Sequence, residues 1–74
     1  MLTGADRETL KEFGENLKKI RTRKGYSLRA LSHECRIDFS DIGKMERGET
    51  NPTLLTLLEL AKALQVSPDE LVRF

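Results

Sequence analysis

The chain has 74 residues, 38% of them apolar and 34% charged, with one cysteine and a net charge of +1. That length gives one domain near the lower limit for folding around a single core. A lone cysteine excludes an intrachain disulfide and a cysteine metal cluster, and with no apolar run of roughly 18 residues neither a membrane span nor an export signal is expected. These features fit a protein of the reducing cytoplasm.

The first helix is expected to start near Asp6, an N-cap candidate with Glu8 in its first turn. Leu10, Phe13, Leu17 and Ile20 then recur at helical spacing as one apolar stripe. The helix should end at Lys24, since Gly25 suits the left-handed position after a helix. Gly14 interrupts it at a cost of about 1 kcal/mol relative to alanine. It is read as the point where an appended segment joins the core helix, so residues 1–12 are an N-terminal extension and 13–74 the domain proper. Five of the seven residues Lys18–Lys24 are basic. Such a run is either a solvated helix end, suited to the helix dipole, or part of a cationic face for phosphates.

Ser27 is a good N-cap for a second helix, Leu28 to Cys35, and Arg36 and Ile37 form a turn. Asp38 is expected to cap a third helix, with Asp41 completing an imperfect capping box. This helix ends at Arg47 before Gly48. After a loop through Pro52, a leucine-rich fourth helix runs from about Thr53 to Leu64. Ser67-Pro68 pairs an N-cap with a proline at the first helical position and opens a fifth helix, Pro68 to Val72. No segment alternates with period two. The expected fold is an all-α, compact five-helix bundle. Two short helices across a tight turn, Leu28 to Arg47, are the layout of a helix-turn-helix unit, whose second helix enters a DNA major groove.

Charge is unevenly divided. Residues 1–37 carry a balance of +4 and residues 38–74 a balance of −3. His33 and Cys35 stand alone, so no nucleophile-base pair or metal set can be assembled. The chain is therefore read as no enzyme, with no metal and no cofactor.

From about Phe13 to Leu71 the sequence resembles the phage repressor and Cro-type helix-turn-helix family, often called XRE-like. The matching pieces are Leu17-x-x-Ile20-Arg21, Gly25-x-Ser27-x-x-x-Leu31, Ile37-x-x-x-x-Ile42, Met45-Glu46-Arg47-Gly48, Asn51-Pro52 and Leu57-x-x-Leu60-Ala61-x-x-Leu64-x-Val66-Ser67. Three positions depart from the family pattern. Leu28 replaces a common glutamine that touches phosphate. Ser32 replaces an alanine, and Arg36 a turn glycine. A non-glycine in a left-handed turn costs about 1 kcal/mol.

The resemblance implies a lambda repressor-like DNA-binding domain with base-reading positions at Phe39, Ser40 and Lys44. Lys44 suits guanine O6 and N7, Ser40 a base edge or phosphate, and Phe39 a thymine methyl. The other reading of Phe39 is a core or dimer aromatic. Asp41 either serves the helix N-terminus or accepts from cytosine N4. Phosphate candidates are Ser27 and Arg29 at the second helix, Arg23 and Lys24 at the end of the first, and Arg47, Thr50, Asn51 and Thr53 around the loop. The family pattern pairs Arg21 with Glu46 as a structural ion pair. Ile42 and Met45 should face the core, with Phe39, Ser40, Gly43 and Lys44 opposite. In the fourth helix Leu54, Leu57, Ala61 and Leu64 form the core stripe. Leu55, Leu58, Val72 and Phe74 then make a surplus apolar surface, read as a homodimer interface. The expected function is a transcriptional regulator binding double-stranded DNA as a homodimer on a palindromic operator. The alternative is an antitoxin or other protein-interaction module, with a toxin as its partner.

Overall fold

A computed structural model describes residues 1–74, with five helices and no strand: α1 Gly4–Arg23, α2 Leu28–His33, α3 Phe39–Glu46, α4 Leu54–Leu64 and α5 Pro68–Val72. Helix α1 starts two residues before the expected Asp6, because Thr3 caps it. The Thr3 hydroxyl accepts from the Asp6 N–H at 3.0 Å, and the Asp6 carboxylate accepts from the Thr3 N–H at 2.9 Å. Aspartate here takes the glutamate position of a capping box. Hydrogen bonding to Thr3, chiefly its backbone N–H on the carboxylate, holds the Asp6 carboxyl below its ordinary range. At the other end Gly25 has φ +85°, the left-handed conformation expected after the helix.

The core is built from one stripe of each helix: Phe13, Leu17 and Ile20 of α1, Leu31 of α2, Ile42 and Met45 of α3, Leu60, Ala61 and Leu64 of α4, and Leu71 of α5. The α4 stripe is rotated from the expected one. Leu54 is 68% exposed, while Ala63 is buried and Leu57 half-buried. Helix α4 ends on Gln65, the one non-glycine residue with positive φ, at 58°. Val66 N–H then bonds Ala61 C=O at 3.0 Å and closes the helix end.

Two approaches to α1 set the position of α3. A Cβ at Gly14 would lie 2.4 Å from the backbone oxygens of both Met45 and Glu46. Gly14 is thus the site of close crossing between α1 and the end of α3, and α1 is one continuous helix through it. Gly48, at φ +74°, passes so near α1 that a Cβ there would meet the Lys11 backbone at 2.9 Å. On the opposite side, Asn16 Nδ2 donates to the Glu70 and Leu71 carbonyls at 2.8 and 3.0 Å and docks α5.

The α2–α3 connection differs from expectation in two ways. Helix α2 ends at His33 rather than Cys35, so the connection runs from Glu34 to Asp38. With those extra residues the chain reverses without a left-handed residue, and Arg36 does not adopt one. The Arg36 N–H instead donates to Glu59 Oε2 of α4 at 2.5 Å. A carboxylate on a backbone N–H is a charge-assisted bond. Cys35 donates its Sγ–H to the Leu31 carbonyl at 3.3 Å, and burial pushes its thiol pKa up. That keeps it protonated at neutral pH.

Candidate nucleic-acid interface

Helix α3 turns Ile42 and Met45 into the core and presents Ser40, Asp41 and Lys44 to solvent. Gly43, expected on the open side, is buried. Leu28 and Arg47 cover it: a Cβ there would lie 3.8 Å from Leu28 Cδ1 and 3.2 Å from Arg47 Nη1. Leu28 is half-buried and packs against the core. The residue that replaces the common glutamine therefore joins α2 to α3 by apolar contact.

Phe39 is half-buried at the start of α3. The Arg29 guanidinium carbon of α2 sits 4.5 Å from its ring centroid, within cation–π range. Phe39 is thus neither a core aromatic nor bare. Asp38 stands at the N-cap of α3 but makes no side-chain cap bond, contrary to expectation. Its Oδ2 accepts the Ser40 hydroxyl at 2.6 Å. A hydroxyl donor is a nearer partner for the carboxylate than the helix N–H groups. This commits the Ser40 proton and leaves its oxygen lone pairs free. The front of α3 consequently offers acceptors at Asp38, Ser40 and Asp41, and Lys44 supplies a donor one turn later.

The candidate phosphate residues divide. Ser27 Oγ accepts from the Ala30 N–H at 3.0 Å as an N-cap, which leaves its own proton free. Thr53 Oγ1 similarly caps α4 by accepting from the Thr56 N–H at 3.2 Å. Arg47 Nε is paired with Glu49 Oε2 at 2.8 Å, an exposed pair whose hydrogen bond raises the arginine pKa and lowers the carboxyl's. Arg23 reaches Glu70 of α5 at 3.3 Å. Thr50 is half-buried. Asn51 lines a shallow cleft of about 300 Å³ with Leu2, Asp6, Thr9 and Leu10, against the start of α1. Arg29, Lys24 and Lys44 take part in none of the ion pairs.

Arg21 and Glu46 hold this surface from behind. Nε donates to Oε2 at 2.5 Å and Nη2 to Oε1 at 3.0 Å, with side chains 9% and 6% exposed. A third bond, Nη1 to the Tyr26 carbonyl at 2.8 Å, fixes the start of α2 to the same guanidinium. One arginine therefore ties together α1, α3 and the entry to α2. Gly14 and Glu59 also position the site, while Asn16 fixes α5 on the far side, and the sequence pattern carries none of these roles. Their partners lie far along the chain, and none forms a motif.

The apolar surface outside the core includes Leu55 at 75% exposure, Leu58 at 42%, Val72 at 53% and Phe74 at 52%. Leu55 and Leu58 line an open groove of about 710 Å³, together with His33 at the end of α2 and residues 34–36 of the α2–α3 turn. Phe74 also meets the buried Phe13 edge-on, with centroids 6.5 Å apart. No helix is long and apolar enough to cross a membrane.

A short helix locked to the bundle on one side, with a polar free side, preceded by a second helix across a turn, defines a helix-turn-helix DNA-binding domain. The helix-turn-helix family HTH_3 matches residues 17–71. The chain belongs to this XRE-like helix-turn-helix family. It is 44% identical over 61 residues to the SPbeta prophage-derived HTH-type transcriptional regulator YonR of Bacillus subtilis, covering 82% of this chain and 56% of the relative. It is also 44% identical over 61 residues to the regulator y4dJ of Sinorhizobium fredii, covering 80% of this chain and 77% of that protein. The chain thus spans about half the length of the Bacillus relative. Among solved structures, the restriction-modification controller protein C.AhdI of Aeromonas hydrophila superposes with a TM-score of 0.82 at 42% identity, over 84% of this chain and 94% of that one. An HTH_3 family transcriptional regulator from Vibrio cholerae gives 0.85 at 30% identity, over 89% of this chain and 37% of that one.

Proposed function

We propose that this protein is a cytoplasmic transcriptional regulator that binds a palindromic operator in duplex DNA as a homodimer. The observation that carries the reading is the two-sidedness of α3. Ile42 and Met45 anchor it, while Ser40, Asp41 and Lys44 stand free beside the Arg29-backed Phe39. In this reading α3 lies in the major groove. Ser27, Arg29, Lys24 and the Thr50–Thr53 loop hold phosphates, and Arg23 and Arg47 join them by exchanging their exposed carboxylate partners for phosphate. Lys44 donates to guanine O6 and N7, whereas Ser40 and Asp41 accept from cytosine N4 or adenine N6.

Selection from random duplex DNA, followed by a salt titration of the winning site, tests the reading. A conserved palindrome is the expected result, and sequence-independent or absent binding overturns it. Lys44→Ala should relax preference at one base pair per half-site by roughly tenfold, the lower part of the range for a bidentate contact. Equal selectivity in the variant would remove Lys44 from the reading set.

The homodimer rests on Leu55, Leu58, Val72 and Phe74, which leave more apolar surface than one small core needs. A two-fold dimer sets its reading helices roughly 34 Å apart, one DNA turn. Leu58→Glu should yield monomers in sedimentation at micromolar concentration and weaken palindrome binding, with helical content unchanged. An unaltered mass would place the interface elsewhere. The likeness to a restriction-modification controller makes control of a methyltransferase–endonuclease operon the first role to test, by reading the genes beside this one.

A further inference from the structure

The contact between Arg29 and Phe39 joins a residue proposed for phosphate to one proposed for a base. Arg29 lies in the first turn of α2 and Phe39 at the first position of α3, with guanidinium carbon and ring centroid 4.5 Å apart. Arg29 is exposed and makes no ion pair, so the ring is its principal partner. A guanidinium is planar: its faces stack and its edge carries the N–H donors. Seated over the Phe39 ring and hydrogen-bonded to no protein group, the guanidinium keeps its N–H donors free for a phosphate. A lysine ammonium has no such face and cannot serve both partners in this way.

The consequence falls on the ring. An aromatic at the front of an exposed helix turns among rotamers unless something confines it. Here the arginine lies over the ring of a half-buried residue, and Phe39 keeps part of its surface exposed. We propose that Arg29 is a positioning residue for Phe39, and that the stacked pair reads the C5-methyl group of a thymine in the major groove. This rests on the placement of α3 proposed above. Thymine is the unmodified base that displays a methyl there. Burying that methyl against a fixed ring is worth about fourfold in affinity. Backbone grip and methyl readout are then one device: an Arg29 edge held on phosphate keeps its face on the ring.

The test uses the full chain and its selected duplex. Each thymine of the site is replaced in turn by deoxyuridine, which removes the methyl and keeps the hydrogen-bonding edge. The wild-type protein should lose about fourfold at one thymine per half-site. Phe39→Ala should abolish that loss and so assign the thymine to Phe39. Arg29→Lys keeps the charge. It should reduce the thymine-to-uracil ratio at that position below about twofold, weaken the selected site, and leave the slope of affinity against salt as in the wild type. In the double variant the ratio should fall no further than in Phe39→Ala alone. Melting temperatures close to wild type exclude unfolding, since Arg29 is exposed and Phe39 lies outside the buried core.

A fourfold ratio retained by Arg29→Lys overturns the inference and leaves α3 as the reader. So does a wild-type site at which no thymine responds to loss of its methyl, or one whose response survives Phe39→Ala. A wild-type protein that selects no site overturns both the inference and the reading beneath it.

Discussion

Gly14→Ala is expected to lower the stability of the domain by about 3 kcal/mol, at the upper end of the usual range for overpacking. The new methyl would lie 2.4 Å from two backbone carbonyl oxygens at the end of α3. Neither oxygen belongs to a flexible side chain, so relief requires α3 to retreat from α1. That movement strains the Arg21–Glu46 pair, which spans the same two helices. A 74-residue domain holds roughly 4–11 kcal/mol in total. The variant should therefore show a much lower urea midpoint, or be unfolded at 37 °C. Gly4→Ala is the matched control. Nothing lies within 4 Å of a Cβ there, and helix propensity favours the change. A Gly14→Ala midpoint equal to the control's would show that the crossing does not need glycine.

Truncation of either partner in the Arg21–Glu46 pair should cost about 3–5 kcal/mol, because the remaining charge is left buried and unpaired. Glu46→Leu and Arg21→Met are the informative variants. The double change should recover most of the loss, since replacing a buried ion pair with apolar groups is often neutral. A deficit of about 1 kcal/mol should persist in the double variant, because the Tyr26 carbonyl loses its guanidinium donor. Denaturant midpoints of the two single variants and the double form the cycle. Single losses below about 1 kcal/mol would place the pair with ordinary surface salt bridges.

These two effects differ in how far the sequence announces them. The Arg21–Glu46 pair is legible through family resemblance, because both residues sit in recurring motifs. Gly14 is not. In one dimension a mid-helix glycine registers as a local cost, and only the α3 carbonyls beside it reveal its purpose. The helices themselves are legible to within about two residues, because each carries a stop or start of its own. Pro68 opens α5, while Gly25 and Gly48 follow α1 and α3. The start of α1 was misplaced although Thr3-x-x-Asp6 is a capping pattern, since aspartate in the glutamate position weakens the signal. Asp38 shows the opposite error. Its residue type and position fit a cap, yet Ser40 two residues on competes for the carboxylate.

The α4 stripe went astray for a related reason. A run of leucines leaves the buried face underdetermined, and small Ala63 turns inward while large Leu54 stays exposed. At the reading surface, residue types were legible and pairings were not. Arg29 on Phe39 joins residues of two different helices across a turn, and Glu59 on the Arg36 N–H spans a longer separation. Such contacts depend on the angle between helices, which no local pattern encodes.

The Glu59 contact has one more consequence. Glu59 follows Leu58 in α4, so neighbouring residues of one rigid rod face two different tasks. One offers apolar surface at the proposed dimer face, and the other grips the loop before α3. The grip is chiefly on the main chain, and the exposed Arg36 side chain adds a longer ion pair to it, with Nε 4.0 Å from the same Oε2. If the proposed dimer forms through Leu58, a contact there that shifts α4 would also bear on the loop through Glu59, and such a coupling is reciprocal by thermodynamic linkage. In the proposed dimer, whatever free energy assembly lent to operator recognition, an occupied operator would return to assembly in equal measure.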